Sequence, residues 1–214
     1  MALEIIGRSS SHFTRVALIV AHELGVPVEL VVVYDIASKD SAVFAGNPAL
    51  KLPTLRRPGG GLVFGAENIC RALADAAGPD AARGLVWPEA LTSDVSRNAQ
   101  ELTWHAMAAQ VILVMGTLVG KLPADHGFFA KGRAGFEGAL VWLDAHLDAA
   151  LAALPADRRV SLLEVTLFCV LEHLTFRGSL PVEPYPRLVR FAAEFALRPS
   201  AQATAYRFDT PPAA

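Results

Sequence analysis

The sequence predicts a small mixed α/β domain followed by an all-α helical domain. Three observations carry this. Short apolar runs at residues 3–7, 28–34, 50–55 and 62–64 are separated by helix-like or polar stretches in the first third of the chain. Beyond residue 88 almost every segment repeats its apolar positions at helical spacing. Between the two parts, residues 78–88 collect Gly, Pro, Ala and Asp, the punctuation of a linker. The expected domains are residues 1–77 and 89–214, in a chain of 214 residues, long enough for two small domains.

Residues 3–7 read as the first strand. After three serines, Val16, Ile19, Val20 and Leu24 mark one face of a helix that Gly25 ends. The β-branched run 28–34 reads as a buried second strand. Residues 35–46 are polar and suit a short irregular helix. Residues 50–55 form an apolar strand with Pro53 inside it, where a residue without an N–H donor does not fit a sheet ladder. A cis-proline at a tight bend is one resolution, and it leaves the backbone of the preceding residue available. Pro58-Gly59-Gly60-Gly61 then turns the chain into a strand at 62–64, so the unit reads as a hairpin. Gly65-Ala66-Glu67-Asn68 opens a helix to about residue 76. Such a start presents unpaired N–H groups and a positive dipole end, which favour anions.

Helices are expected at 92–116, 128–154, 161–177 and 186–198. The third has a start signal of its own. Ser161-Leu162-Leu163-Glu164 fits a capping box, in which each side chain satisfies the other's backbone N–H.

Composition excludes several classes. The chain is 53% hydrophobic and 19% charged, which supports a substantial core and not disorder. A net charge of −2 with mixed signs argues against a nucleic-acid partner. The apolar run 107–118 is too short to span a membrane, and the N-terminal run is too short for a secretory signal. Cys70 and Cys169 lie in apolar helical patterns, so both are expected buried and reduced, in keeping with a cytoplasmic location. His22-Glu23 lacks the second histidine of a zinc motif, and His105, His126, His146 and His173 have no ligand spacing, so no metal is expected.

NPALKLPTL at residues 47–55, the Gly-rich hairpin and the acidic helix start at Glu67 together resemble the glutathione-binding half of the glutathione S-transferase family. SLLEVTLFCVLEHLTFRG from Ser161 and PYPRLVRFAAEFALRPSAQAT from Pro184 resemble two helices of bacterial members, so the likeness covers nearly the whole chain. The resemblance implies a thioredoxin-like N-terminal domain, an all-α C-terminal domain, a homodimer, and glutathione as co-substrate. It implies that Pro53 is cis and that the backbone of Leu52 pairs with the cysteinyl part of glutathione. Glu67 and Asn68 would hold the γ-glutamyl end. Asn68 stands where the family usually has Ser, and its amide can also hydrogen-bond a carboxylate. Lys39 is placed near the glycyl carboxylate by its charge, and Arg71 can support Glu67 one helical turn away.

Ser9, Ser10 and Ser11 admit two readings. Serine at a strand–helix junction is a good N-cap, and this is the reading the residues alone favour. The same geometry lets a hydroxyl donate to a thiolate near the positive helix end. The resemblance favours the second role, with Ser11 as the activating hydroxyl and Ser10 next. RSSSHFTRV also resembles the zeta class, which opens an alternative as a glutathione-dependent isomerase. A non-catalytic binding or scaffold protein of the same fold is the third possibility. The absence of cysteine at these positions argues against chemistry through a protein mixed disulfide. His12 is expected either on the solvent side of the first turn or in a second-substrate pocket. Trp104 and Met107 are further candidates for that pocket, which would take a small apolar molecule.

Overall fold

A computed structural model describes residues 3–211, so residues 1–2 and 212–214 of the expected domains lie outside it. The chain divides into two compact units, one running to Arg83 and completed by the segment from Leu197, the other spanning Gly84–Ala196.

The first unit holds a four-stranded sheet in the order β2-β1-β3-β4, built from β1 (Leu3–Gly7), β2 (Val28–Val32), β3 (Thr54–Arg56) and β4 (Leu62–Phe64). β1 and β2 run parallel, joined by helix α1 (His12–Leu24), as a parallel pair requires a crossover. β3 pairs antiparallel with both β1 and β4. This is the expected thioredoxin-like arrangement. β2 is less buried than its β-branched run predicts: Glu29 is exposed and its neighbours half-buried, because it is an edge strand with one partner. The strand expected at 50–55 begins only at Thr54, since Leu50 takes a left-handed φ of 54° and the Leu52–Pro53 bond is cis. The irregular segment contains one turn of 3-10 helix, Ser41–Phe44, capped by Asp40.

Alternation along the strands sends neighbours to opposite faces. Ile6 joins Val33 and Phe44 in a cluster backed by Leu50 and Leu52, while Ile5 is fully buried on the other side. Helix α2 (Ala66–Ala77) packs along α1, burying Ile69, Cys70 and Leu73. The expected linker is partly ordered into helix α3 (Pro79–Ala82) and strand β5 (Leu85–Val86).

The C-terminal segment, expected with the helical domain, packs in the first unit. There α8 (Pro199–Ala203) lies against α1. Arg198 makes two hydrogen bonds of 2.9 Å to Glu23 of α1, and Ser200 donates to the same carboxylate. Arg15, a cation on the buried side of α1, donates to the carbonyl of Ala201 at 3.1 Å and stacks on Tyr206. This places two charged residues of α1 where periodicity alone expects none to matter.

The second unit is helical: α4 (Asp94–Leu118), α5 (Ala130–Ala152), α6 (Leu162–Arg177) and α7 (Pro186–Ala196). One two-residue parallel ladder joins β5 to β6 (Val160–Ser161). The capping box at α6 forms as the sequence predicts, with Ser161 Oγ accepting from Glu164 N at 3.1 Å and Glu164 Oε2 accepting from Ser161 N at 2.8 Å. α7 is capped from outside itself, by Asp144 of α5, which accepts from the N–H groups of Arg187 and Leu188. Cys70 and Cys169 are buried, one in each unit, and are not joined in a disulfide. No helix among the described residues is long and apolar enough to cross a membrane.

Candidate functional site

The sheet register brings the serine cluster, the cis-proline and the start of α2 to one end of the sheet. Ile6 of β1 pairs with Thr54 of β3, and Thr54 pairs with Phe64 of β4. Because β3 runs against both neighbours, the residues after β1, those before β3 and those after β4 all emerge at that end. Ser9–Ser11, Leu52-Pro53 and Gly65–Asn68 are therefore gathered there. β2 is parallel to β1, with Gly7 opposite Val32, so the chain leading to Lys39 leaves the sheet at the same end.

Ser11 is the N-cap of α1, in extended conformation at φ −106° and ψ 123°, and its Oγ accepts from Thr14 N at 3.3 Å. A serine hydroxyl has one donor and two lone pairs. The cap uses a lone pair, and the hydroxyl proton has no acceptor among the described residues. Ser11 is half-buried, whereas Ser9 and Ser10 are buried. Thr14 is fully enclosed and its Oγ1 accepts from Arg8 N at 3.4 Å, so it ties the end of β1 to the first turn of α1.

Pro53 is buried and Leu52 half-buried. No hydrogen bond among the described residues engages the backbone of Leu52, so its N–H and C=O can receive an extended ligand. Asn47 stabilises the approach to this bend. Its Nδ2 donates to Lys51 O at 3.0 Å and its Oδ1 accepts from Ala49 N at 3.0 Å. The hairpin closes through Arg57 and Gly61, with Gly59 and Gly60 at φ 86° and 93°, angles that a side chain disfavours.

Helix α2 starts at Gly65 without a side-chain cap. Its first N–H groups therefore combine with the dipole to make an anion-favouring end. Glu67 sits in this first turn, half-buried and paired to Arg71. Asn68 is exposed, and its Nδ2 donates to Phe64 O at 3.2 Å. Lys39 is exposed.

The residues expected around a second substrate fare differently. His12 is only 3% exposed, so the expectation of a solvent-facing ring is corrected: the first turn of α1 points it inward, and its ring lies 4.7 Å from that of Phe13. Met107 is fully buried in the helical unit, so a ligand reaches it only through its neighbours, while Trp104 is half-buried. Among the described residues no cluster of His, Cys, Asp or Glu could hold a metal ion. Thr14, which ties β1 to α1, and Asp209, which accepts from Ser9 N at 2.9 Å, shape the site without having been singled out.

Residues 10–76 match the family described as Glutathione S-transferase, N-terminal domain. No curated protein matches the chain. Among solved structures, one similar to this chain is a glutathione S-transferase from Methylobacillus flagellatus KT with GSH bound, at 24% identity and TM-score 0.76 over 96% of this chain and 100% of that one. Another is a glutathione transferase family member from Pseudomonas fluorescens Pf-5 with bound glutathione, at 22% identity and TM-score 0.76, again over 96% of this chain and 100% of that one. A third, a glutathione S-transferase from Methylobacterium radiotolerans in complex with glutathione sulfonate, is 21% identical with TM-score 0.73 over 100% of both chains. These likenesses carry the fold, and the matched segment contains the serine-capped helix, the cis-proline and the uncapped start of α2. Residues 10–76 thus match the N-terminal domain of the glutathione S-transferases, and the chain as a whole shares the fold of those solved structures.

Proposed function

We propose that the chain is a glutathione transferase that joins the sulfur of glutathione to a small apolar electrophile. The observation that carries this reading is the convergence at one sheet end of a free backbone at Leu52, an uncapped helix start at Glu67 and a capped hydroxyl at Ser11. In this reading Leu52 pairs by its backbone with the cysteinyl residue, beside cis-Pro53. The γ-glutamyl carboxylate lies on the N–H groups of α2 with the amide of Asn68, and its ammonium meets Glu67. Lys39 meets the glycyl carboxylate.

Ser11 then acts on the sulfur. A free thiol of this kind titrates at about 8.5, so little of it is ionised at neutral pH. The Ser11 O–H donates to the thiolate while the same oxygen goes on accepting from Thr14, so cap and activator are compatible roles. The proton leaves to solvent, the thiolate's electron pair forms the new bond to the electrophilic carbon, and the bond from that carbon to its leaving group breaks, the group departing to solvent as an anion such as chloride. Ser10 is the second candidate for this donor, and Trp104 is the candidate contact for the acceptor. We further assign the protein to the cytoplasm and expect a homodimer, for which the apolar edge strand β4, with Leu62 and Phe64 exposed, is a candidate surface.

Calorimetric titration with glutathione, followed by turnover of 1-chloro-2,4-dinitrobenzene, tests this. Binding together with turnover that Ser11→Ala largely removes supports it. Full activity in Ser10→Ala, Ser11→Ala sinks the serine mechanism. No heat at millimolar glutathione would point to a binding or scaffold protein instead.

A further inference from the structure

The first unit contains a cavity of about 330 Å³ away from the residues assigned above to glutathione, except that Ser9 lines it. Its walls come from α1 (Leu18), the turn after it (Val26), the edge strand β2 (Val28 and Leu30) and the C-terminal segment (Arg207). Val28 and Leu30 are two apart on a strand and so share one face. This gives the cavity an apolar floor.

Four polar side chains line the cavity, Ser9, His22, Thr204 and Arg207, of which Thr204 is engaged, its Oγ1 donating to Ser200 O at 2.7 Å. The Ser9 hydroxyl is buried and has no hydrogen-bond partner among the described residues, a cost that a ligand acceptor would remove. Arg207 is exposed and pairs with no carboxylate among the described residues. The nearest carboxylate to Ser9 in bonding terms, Asp209, accepts from its backbone N–H and does not line the cavity. The walls therefore offer apolar area, the Ser9 hydroxyl, an exposed histidine and the Arg207 cation, and no carboxylate.

We infer that this cavity binds a small amphipathic monocarboxylate, with its chain on Leu18, Val26, Val28 and Leu30 and its carboxylate between Ser9 and Arg207. At roughly 30 Å³ per water-sized group, the volume takes on the order of ten non-hydrogen atoms, the size of octanoate. The ligand would meet Ser9, two residues before Ser11, so occupancy is felt at the start of α1.

Octanoate is the probe, titrated into the full chain by calorimetry and by amide NMR, with octan-1-ol as the neutral analogue. Saturation at one octanoate per chain is expected, with a dissociation constant on the order of 1 mM for a ligand of this size. Amide shifts should centre on Ser9, Leu18 and Val28. Arg207→Gln should weaken octanoate roughly threefold to fivefold and leave octanol unchanged. Ala203→Phe, a change at an exposed lining residue, should abolish both while the amide spectrum stays folded. The inference is overturned by octanol binding as tightly as octanoate, by Arg207→Gln binding like the parent, by a folded Ala203→Phe that still binds, or by shifts centred elsewhere. Displacement of octanoate by glutathione would overturn it as a separate site.

Discussion

Arg71 holds Glu67 from one turn along α2, with Nη2 at 2.8 Å and Nε at 3.2 Å from the same oxygen, Oε1. The other oxygen, Oε2, has no partner among the described residues. A carboxylate so fixed is oriented by one oxygen and open at the other. Arg71→Gln should therefore raise the glutathione KM about threefold while kcat changes little, because the lost contact positions ligand in ground and transition states alike. Glu67→Gln should raise it about tenfold, the scale of a charge-assisted hydrogen bond. Steady-state kinetics at varied glutathione distinguishes the two. The pair's own contribution to helix stability is only about 0.3–0.5 kcal/mol, so unfolding should hardly move in Arg71→Gln.

Ser11→Ala should show two separable losses. Removing the cap from Thr14 N–H costs about 1 kcal/mol, read as a Tm lower by roughly 2–4 °C. Removing the hydroxyl donor should move the kcat/KM profile toward higher pH by about one unit, since one unit is about 1.4 kcal/mol of differential stabilisation of the thiolate. Ser11→Asp keeps a cap acceptor but has no O–H to give when ionised. It should restore Tm and not the profile. A profile unchanged in both variants would assign Ser11 to capping alone.

Gly7→Ala tests the junction between β1 and α1. A Cβ there would lie 2.5 Å from Thr14 Cγ2 and 2.6 Å from Oγ1. Thr14 is fully enclosed, so its side chain has no free space to enter. Overpacking of this kind costs about 1–3 kcal/mol. It also pushes on the residue whose N–H binds Ser11, so chemical denaturation and turnover should both fall in this variant.

At the start of α6, burial pushes the Glu164 carboxyl up, but hydrogen bonds from Arg158 and Ser161 and the Arg158 charge together bring it below its usual 4.5. A carboxyl depressed on folding stabilises fully above its unfolded pKa. That contribution fades as pH falls below 4.5 and through the lower folded value. Urea denaturation should show the parent losing stability on acidification in this window, with a smaller loss in Glu164→Gln. At neutral pH, Glu164→Gln should be less stable by about 2 kcal/mol, below the ~3–5 kcal/mol of a fully buried broken pair.

Much of the molecule was readable from neighbours in sequence. The capping box at Ser161, the Gly25 stop, the Gly-rich hairpin and the helix opened by Glu67 each depend on residues within a turn of one another. So did the Arg71–Glu67 pair. Other features needed contacts across long stretches of chain. His12 reads as a surface residue until the first turn of α1 is set against its surroundings, and the run 28–34 reads as buried until the sheet order makes β2 an edge. Asp144 caps a helix 42 residues further on, which no local pattern announces.

By itself the sequence determined the types and order of the elements and the positions of Ser11, Pro53 and Glu67 at their ends, because backbone dihedrals, caps and periodicity act over a few residues. Only the tertiary structure decided that these ends meet. Antiparallel pairing on both sides of β3 brings Ile6, Thr54 and Phe64 into one row, and the residues beyond them into one place. It also decided that the segment after Leu197 belongs with the first unit, where Glu23 accepts from Arg198 and Arg15 donates to the carbonyl of Ala201. Buried charge has to find its counterpart in space, wherever in the chain that counterpart lies.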